Sequence, residues 1–181
     1  QSIKNGDKYR MWSSAFLHAD YSHLFFNLFT LWVFSGAILM QLGEFYYLII
    51  YLLSLYFGNF FTLKQHKNEV FYSAVGASGA VTGIVYSSIL LFPEMKLALL
   101  FFPIPLPSYV FGLCYILYSI YGMKKNSGNI GHSAHLGGAI AGMIITILIK
   151  PSILIEQTWL VLLLLTPFII LYYDKKNSLF R

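Results

Sequence analysis

The chain consists of long apolar runs separated by short polar connections. A spanning helix needs about 20 mostly apolar residues, so we predict a membrane-crossing segment wherever such a run is bounded by charge or proline. The predicted segments cover residues 22–42, 45–63, 78–92, 106–123, 131–149 and 158–173. Only Gly43 and Glu44 separate the first two, which predicts a tight turn and a helical hairpin. The pattern therefore predicts an all-α polytopic transmembrane bundle of about six membrane helices.

Two of these segments are rich in small residues. The segment 78–92 is short and rich in Gly, Ala, Ser and Thr. The segment 131–149 carries Gly138 and Gly142 at GxxxG spacing. Small residues let helix backbones approach closely, so we expect both helices in the middle of the bundle, with Gly83, Gly138 and Gly142 at helix-packing positions.

No internal repeat or low-complexity linker interrupts the sequence, which predicts a single domain over residues 1–181. Within it we expect a pre-helix loop at 1–21, core helices at 22–150 and a further C-terminal helix at 156–173. The connection between the third and fourth segments contains several prolines. It is predicted to be a loop whose stretch MKLALLFF lies along the membrane interface.

Composition and charge narrow the possible functions. The chain is 57% hydrophobic and 10% charged, with a mean hydropathy of +0.66, values typical of a membrane protein. The net charge of +5 comes from a few residues in the connections, so it does not indicate a nucleic-acid-binding face. All seven acidic residues lie outside the apolar segments or at their edges. This excludes an aspartyl intramembrane protease and an HExxH zinc protease, and it argues against proton- or cation-coupled transport.

The polar residues that remain within the segments gather in three places. His23 and Asn27 are four residues apart and share one face of the first helix. Ser78 begins the third segment, and His132 and His135 begin the fifth. Successive antiparallel helices alternate in direction, so the first, third and fifth segments begin on the same side of the membrane. We therefore expect these residues at one face of the bundle and at similar depth.

Each of these residues alone has an ordinary structural interpretation. A serine between small residues usually bonds to its own helix backbone, and a histidine or asparagine within a span is explained equally well by an interhelical hydrogen bond. Together they supply what acyl transfer requires, namely a nucleophile, a base that takes its proton, and donors for the oxyanion. The candidate donors are the side chains of His23 and Asn27 and the backbone N–H of Ser78. Gly76 and Gly79, on either side of Ala77 and Ser78, let the backbone approach a substrate.

With these residues the sequence resembles the rhomboid family of intramembrane serine proteases. The family's GxSG nucleophile motif is present as GASG at 76–79, followed at the usual offset by Gly83. Its base motif is present as AHLGG at 134–138, and its HxxxN motif as HLFFN at 23–27. The resemblance covers residues 9 to 150, most of the chain.

The resemblance implies a catalytic dyad of Ser78 and His135 without a third acidic residue. It implies an endopeptidase that cuts membrane-anchored proteins near the membrane surface, with no cofactor and no metal. The expected partners are transmembrane protein substrates and the lipid bilayer, with no nucleic acid, and the oligomeric state is unassigned. The expected location is a bacterial inner or cell membrane. The alternative is a catalytically silent rhomboid-like protein that binds or escorts membrane proteins.

The sequence departs from the family pattern at several points. Only residues 1–21 precede the HxxxN helix, so we expect the family's first core helix to be missing. The segment 158–173 is expected to be the extra C-terminal helix that some members carry. Thr82 stands where the family often has an aromatic residue that packs on the catalytic histidine, so we expect His135 to be held less tightly.

The distribution of positive charge bears on orientation. Ten Lys and Arg residues lie on the side of the bundle where the candidate site is expected, against two, Lys96 and Lys150, on the other side. The positive-inside rule then predicts a cytoplasmic active site, whereas bacterial members of the family open outward. The orientation is therefore left open.

Overall fold

The computed structural model describes residues 3, 6–69, 72–99, 102–125 and 130–177. Its helices are α1 (Arg10–Ser13), α2 (Tyr21–Gln65), α3 (Ser78–Leu91), α4 (Ser108–Lys125), α5 (His132–Ile149), α6 (Ile153–Glu156) and α7 (Thr158–Asn177), with a 3₁₀ turn at Ser14–Phe16. A strand pair, β1 (Lys96–Leu99) and β2 (Phe102–Pro107), connects α3 to α4. The predicted all-α bundle is confirmed, and each predicted apolar segment overlaps a helix.

Helix α2 is a hairpin of two arms that meet at Gly43. This glycine has φ 80° and ψ 175°, which a residue with a Cβ adopts only under strain. The Ser35 hydroxyl in the N-terminal arm (21–42) is hydrogen-bonded to the Tyr47 hydroxyl in the C-terminal arm (44–65) at 3.0 Å. Twelve residues along one continuous helix would separate them by about 18 Å, so the chain must fold back. The predicted hairpin is therefore present.

Helix α3 lies at the centre of the bundle, between α2 and α5. Every residue from Gly79 to Leu90 is buried. A Cβ atom added at Gly138 would collide with the carbonyl oxygen of Gly79, and one at Gly142 would collide with that of Gly83. The backbones of α3 and α5 are thus in direct contact, which only glycines at these positions allow.

Several serine and threonine hydroxyls within this core donate hydrogen bonds to backbone carbonyl oxygens. Ser87 donates to the Gly83 carbonyl at 2.8 Å, and Thr146 donates to the Gly142 carbonyl at 2.8 Å. Ser88 on α3 donates across the interface to the Phe34 carbonyl on α2 at 2.8 Å. In an apolar environment an unpaired polar group costs several kcal/mol, on the order of a lost hydrogen bond. These hydrogen bonds avoid that cost.

The connection between α3 and α4 differs from the predicted loop. Strands β1 and β2 pair antiparallel, with Lys96 opposite Pro107, and α4 begins at Ser108 rather than at residue 106. The prolines in β2 alternate at 103, 105 and 107, so the positions without an N–H fall on one edge of the strand. A two-stranded sheet needs donors on only one edge, so this pattern is compatible with a strand.

Two of the described helices, α2 and α5, are long and apolar enough to cross a membrane, and Ser78–Leu91 and Thr158–Tyr173 are shorter apolar helices. Large apolar side chains such as Trp32, Met40 and Leu148 are more than 70% exposed on the outer surface. Such a surface is suited to lipid. The assignment of residues 1–181 to one domain stays a prediction.

We predict that Gly142→Ala lowers the free energy of unfolding by about 1–3 kcal/mol, because the added methyl group forces α3 and α5 apart. Gly36→Ala is the matched control, since Gly36 is an exposed helical glycine with open space around its Cβ position. The control should be neutral or stabilising by up to about 1 kcal/mol. Denaturation of the purified proteins in detergent measures both values, and equal effects of the two substitutions would contradict the close-packing account.

Candidate active site

The first turn of α2 is held by Asp20, which caps the helix. Its carboxylate accepts hydrogen bonds from the backbone N–H of His23 at 2.7 Å and from the Ser22 hydroxyl at 2.5 Å. These two hydrogen bonds, that from Ser22 first, lower the pKa of Asp20 below its ordinary value. The cap fixes where the helix begins, and so it directs His23 and Asn27, one turn apart, along one face.

His23 packs against the nucleophile motif. A Cβ atom added at Gly76 would lie 2.6 Å from Cε1 of the His23 ring and 2.8 Å from Nε2. Gly76 also has φ 118°, a conformation that favours glycine. Its N–H donates to the Ser14 carbonyl at 3.0 Å, which ties the motif to the segment ahead of α2. The first and second predicted sets of polar residues, on α2 and α3, are therefore brought together.

Asn27 is the second polar residue on this face of α2. Its side chain is 6% exposed, and its amide nitrogen is buried without a hydrogen-bond partner in the described part of the chain. Buried donors are rarely left unpaired in folded proteins, so such a group commonly marks a functional position. Asn27 therefore presents an available donor at the same face as His23.

Ser78 is the first residue of α3 and is half-buried. The first N–H groups of a helix have no intrahelical acceptor and carry partial positive charge. The first bond back to the turn ahead of α3 is made by Val81, whose N–H donates to the Ala77 carbonyl. The N–H groups at the start of α3, including that of Ser78, are thus suited to stabilising negative charge that develops beside the serine hydroxyl.

His135 lies in the first turn of α5 and is 7% exposed. Its ring stacks on Tyr115 of α4, with ring centroids 5.6 Å apart and planes inclined by 28°. Its Nδ1 atom is hydrogen-bonded to the Tyr115 hydroxyl at 2.9 Å. The ring of His132, one turn away, lies edge-on at 6.1 Å. One ring nitrogen of His135 is therefore occupied by Tyr115, which leaves Nε2 for other chemistry.

The residues next to Ser78 and His135 are in contact with each other. A Cβ atom on Gly79 would lie 3.3 Å from the Ala134 carbonyl oxygen, and the Gly79 carbonyl abuts Gly138. Within the described residues Ser78 and His135 form no direct hydrogen bond. Catalytic hydrogen bonds are often long in the free enzyme and tighten when substrate binds, so this geometry is compatible with a nucleophile–base pair.

Sequence reasoning missed the role of Tyr115. Thr82 occupies the position one turn after Ser78 and donates its hydroxyl proton to the Ser78 carbonyl at 2.7 Å, so it offers no aromatic surface to His135. The stacking surface comes instead from a different helix, α4. The expectation of a loosely held His135 did not include this contact. A tyrosine among the many aromatic residues of a membrane helix gives no local signal of such a partner.

A cavity of about 560 Å³ opens beside these residues, between the segment ahead of α2 and the N-terminal arm. Asn27 and Ala77, next to Ser78, form part of its wall together with Phe16, His18 and Tyr51. The pKa of His18 is lowered, first by burial and then by the nearby His23. The cavity thus leads from the outer surface to the candidate donor Asn27.

The described residues contain no group of three or more His, Cys, Asp or Glu side chains that could hold a metal ion. The available groups are a serine hydroxyl, an imidazole and several N–H donors. These are the kinds of group that acyl transfer through a serine nucleophile requires.

Comparison with known proteins identifies the family. The family model described as the Rhomboid domain matches residues 5–152. The chain therefore belongs to the rhomboid family, whose members are integral membrane proteins.

Three relatives illustrate the similarity. Rhomboid protein 1, mitochondrial, of Saccharomyces cerevisiae is 31% identical over 134 residues, covering 72% of this chain and 39% of that protein. RHOMBOID-like protein 12, mitochondrial, of Arabidopsis thaliana is 32% identical over 158 residues, covering 79% and 47%. Putative rhomboid protease YdcA of Bacillus subtilis is 29% identical over 157 residues, covering 81% and 69%. The chain thus spans less than half the length of the first two relatives.

These relatives also bear on the expected location. The family implies a membrane-integral protein. Several relatives, however, are mitochondrial proteins of eukaryotes. One of them is the human presenilin-associated rhomboid-like protein, which is 31% identical over 136 residues. This finding conflicts with the expectation of a bacterial membrane. The motifs could not predict the location, because they specify a membrane-embedded site and contain no signal that selects a particular membrane.

We predict that the Asp20 cap makes stability depend on pH in the acid range. Because the pKa of Asp20 is lowered by folding, its stabilising contribution is complete above the ordinary carboxyl pKa and is lost as pH falls through the lowered value. Asp20→Asn keeps a capping oxygen that does not titrate there. Thermal midpoints measured from about pH 2 to 6 should fall less steeply for the variant than for the parent. Parallel curves would show that the cap is not involved.

Proposed function

We propose that this chain is an intramembrane serine endopeptidase that cleaves membrane-anchored proteins near the membrane surface. The observation that carries the proposal is the convergence of three groups on one face of the bundle. They are Ser78 at the start of α3, a buried His135 with Nδ1 bonded to Tyr115, and the Asn27 amide, which has no partner among the described residues. The rhomboid family membership supports the same chemistry.

In the proposed reaction, Ser78 Oγ attacks the carbonyl carbon of the scissile peptide while His135 Nε2 takes the hydroxyl proton. The resulting oxyanion accepts hydrogen bonds from the Asn27 amide, the His23 ring and the Ser78 backbone N–H. His135 then gives the proton to the leaving amine, which departs as the new N-terminus. Water, deprotonated by His135, hydrolyses the acyl ester and restores Ser78.

The surroundings of the site favour a substrate held in the membrane. The outer faces of the helices are apolar, so a substrate approaching laterally stays within lipid. The site itself lies at the helix starts, at one end of the bundle, and the cavity opens beside it. The cavity beside Asn27 provides room for an unwound segment of the substrate next to Ser78.

We predict that Ser78→Ala and His135→Ala abolish cleavage of a spanning substrate in lipid vesicles. Asn27→Ala should lower the rate about 10²–10³-fold, because one oxyanion donor is lost. Ser73→Ala is the matched serine control, since Ser73 is exposed in the connection ahead of α3. Product analysis by mass spectrometry locates the cut, and undiminished cleavage by Ser78→Ala would rule out the proposed nucleophile.

Labelling with a fluorophosphonate probe separates this proposal from a catalytically silent family member. An active site of this kind should label Ser78 covalently in the parent, because the base activates the hydroxyl. His135→Ala should lose the label, whereas Ser73→Ala should keep it. Absence of labelling in the folded parent would favour a protein that binds membrane clients without cutting them.

A further inference from the structure

Tyr115 on α4 contacts His135 in two ways at once. Its ring stacks on the imidazole at 5.6 Å, and its hydroxyl lies 2.9 Å from Nδ1. Stacking fixes the plane of the imidazole, and the hydrogen bond fixes its rotation within that plane. The pair therefore determines which ring nitrogen can face Ser78.

A second polar side chain lies near the Tyr115 hydroxyl. It is that of Thr82 on α3, one turn after Ser78. The Thr82 hydroxyl donates to the Ser78 carbonyl oxygen at 2.7 Å. Tyr115 thus contacts the candidate base directly and lies near a side chain that is bound to the backbone of Ser78.

The proposed reaction sets the direction of the bond between Tyr115 and His135. To take the Ser78 proton, Nε2 of neutral His135 must keep its lone pair, so the ring proton is on Nδ1. Nδ1 then donates to the Tyr115 hydroxyl, which accepts. Thr82 uses its own proton on the Ser78 carbonyl and keeps lone pairs that suit the Tyr115 proton.

Helix α4 is anchored so that Tyr115 stays in place. The Tyr86 hydroxyl on α3 donates to the Gly112 carbonyl at 2.5 Å, one turn before Tyr115. A Cβ atom at Gly112 would lie 2.7 Å from Cδ1 of Ile89, so the helices meet closely there. Near the start of α4, Tyr109 packs edge-on against Trp159 of α7 at 5.2 Å. The position of the Tyr115 hydroxyl is thus set by α3 and α7.

We propose that Tyr115 is a positioning residue that holds His135 in the Nδ1–H tautomer with Nε2 available to Ser78. It takes the orienting place that an acidic residue occupies in a serine protease triad, but with a neutral group. This proposal rests on the proposed protease function, but the tautomer can be measured in the absence of any activity.

The tautomer is tested by ¹⁵N NMR of the full chain labelled at histidine and reconstituted in lipid, at about pH 8, where imidazole is mostly neutral. His135→Gln assigns the signal. We expect a protonated Nδ1 and an unprotonated Nε2 in the parent. Tyr115→Phe keeps the ring but removes the acceptor, so the Nδ1–H form should lose its dominance. A parent with the proton on Nε2, or a Tyr115→Phe variant with an unchanged tautomer, would overturn the proposal.

Kinetics test the catalytic consequence. Tyr115→Phe should lower kcat about 3- to 10-fold with KM unchanged, as expected for the loss of one hydrogen bond that acts on the chemical step. Tyr115→Leu should lower kcat further, because stacking is lost as well. Tyr121→Phe is the matched control, since Tyr121 is 61% exposed on the same helix, and it should match the parent in both kcat and NMR spectrum.

The two measurements separate the possible failures. A changed tautomer in Tyr115→Phe with parental kcat would overturn the positioning role. A parent with the Nδ1–H tautomer but no cleavage would contradict the proposed function and leave the hydrogen-bond assignment standing. Circular dichroism of each variant verifies that the helices are intact.

Discussion

The structure depends on one constraint, the contact between the backbones of α3 and α5. Gly79 meets Gly138, and Gly83 meets Gly142, so close that no Cβ atom fits at Gly138 or Gly142. Since Ser78 directly precedes Gly79 and His135 lies one turn before Gly138, this contact also sets the separation between the candidate nucleophile and its base. Packing and chemistry are therefore specified by the same few positions, and a side chain that loosens the core moves the site as well.

Two kinds of polar group in the bundle can be contrasted. Hydroxyls such as those of Ser87 and Thr146 donate hydrogen bonds to backbone carbonyls within the core, which offsets the free-energy cost of burying them in an apolar environment. The groups at the helix starts are different, because the Asn27 amide and the first N–H groups of α3 point away from such partners. The arrangement thus keeps donors available at one end of the bundle, where a developing negative charge can use them.

Much of this could be predicted from the sequence, because the signals are local. The length of the apolar runs predicts the long helices, and Gly43 predicts the hairpin turn. Helix α3 begins at Ser78, where the predicted segment begins. What could not be predicted is non-local. The stacking of Tyr115 on His135 joins helices whose relative rotation no periodicity encodes, and many other aromatic residues could have held that place. The strand pair is not predicted because several prolines in a connection favour a loop, although alternate prolines leave one strand edge able to pair.

Because Gly43 reverses the chain within a single residue, the arms of α2 are joined with almost no loop. Each arm satisfies its own backbone hydrogen bonds, so the pair can partition into lipid together. Apart from the ends of the hairpin, the only charged group that has to cross the bilayer is the Glu44 carboxylate. Moving this single group across costs far less free energy than moving a polar connection of many residues. During synthesis α2 is thus suited to enter the bilayer as a single unit. It would then already be in the membrane when α3 and α5 are synthesised and pack against it.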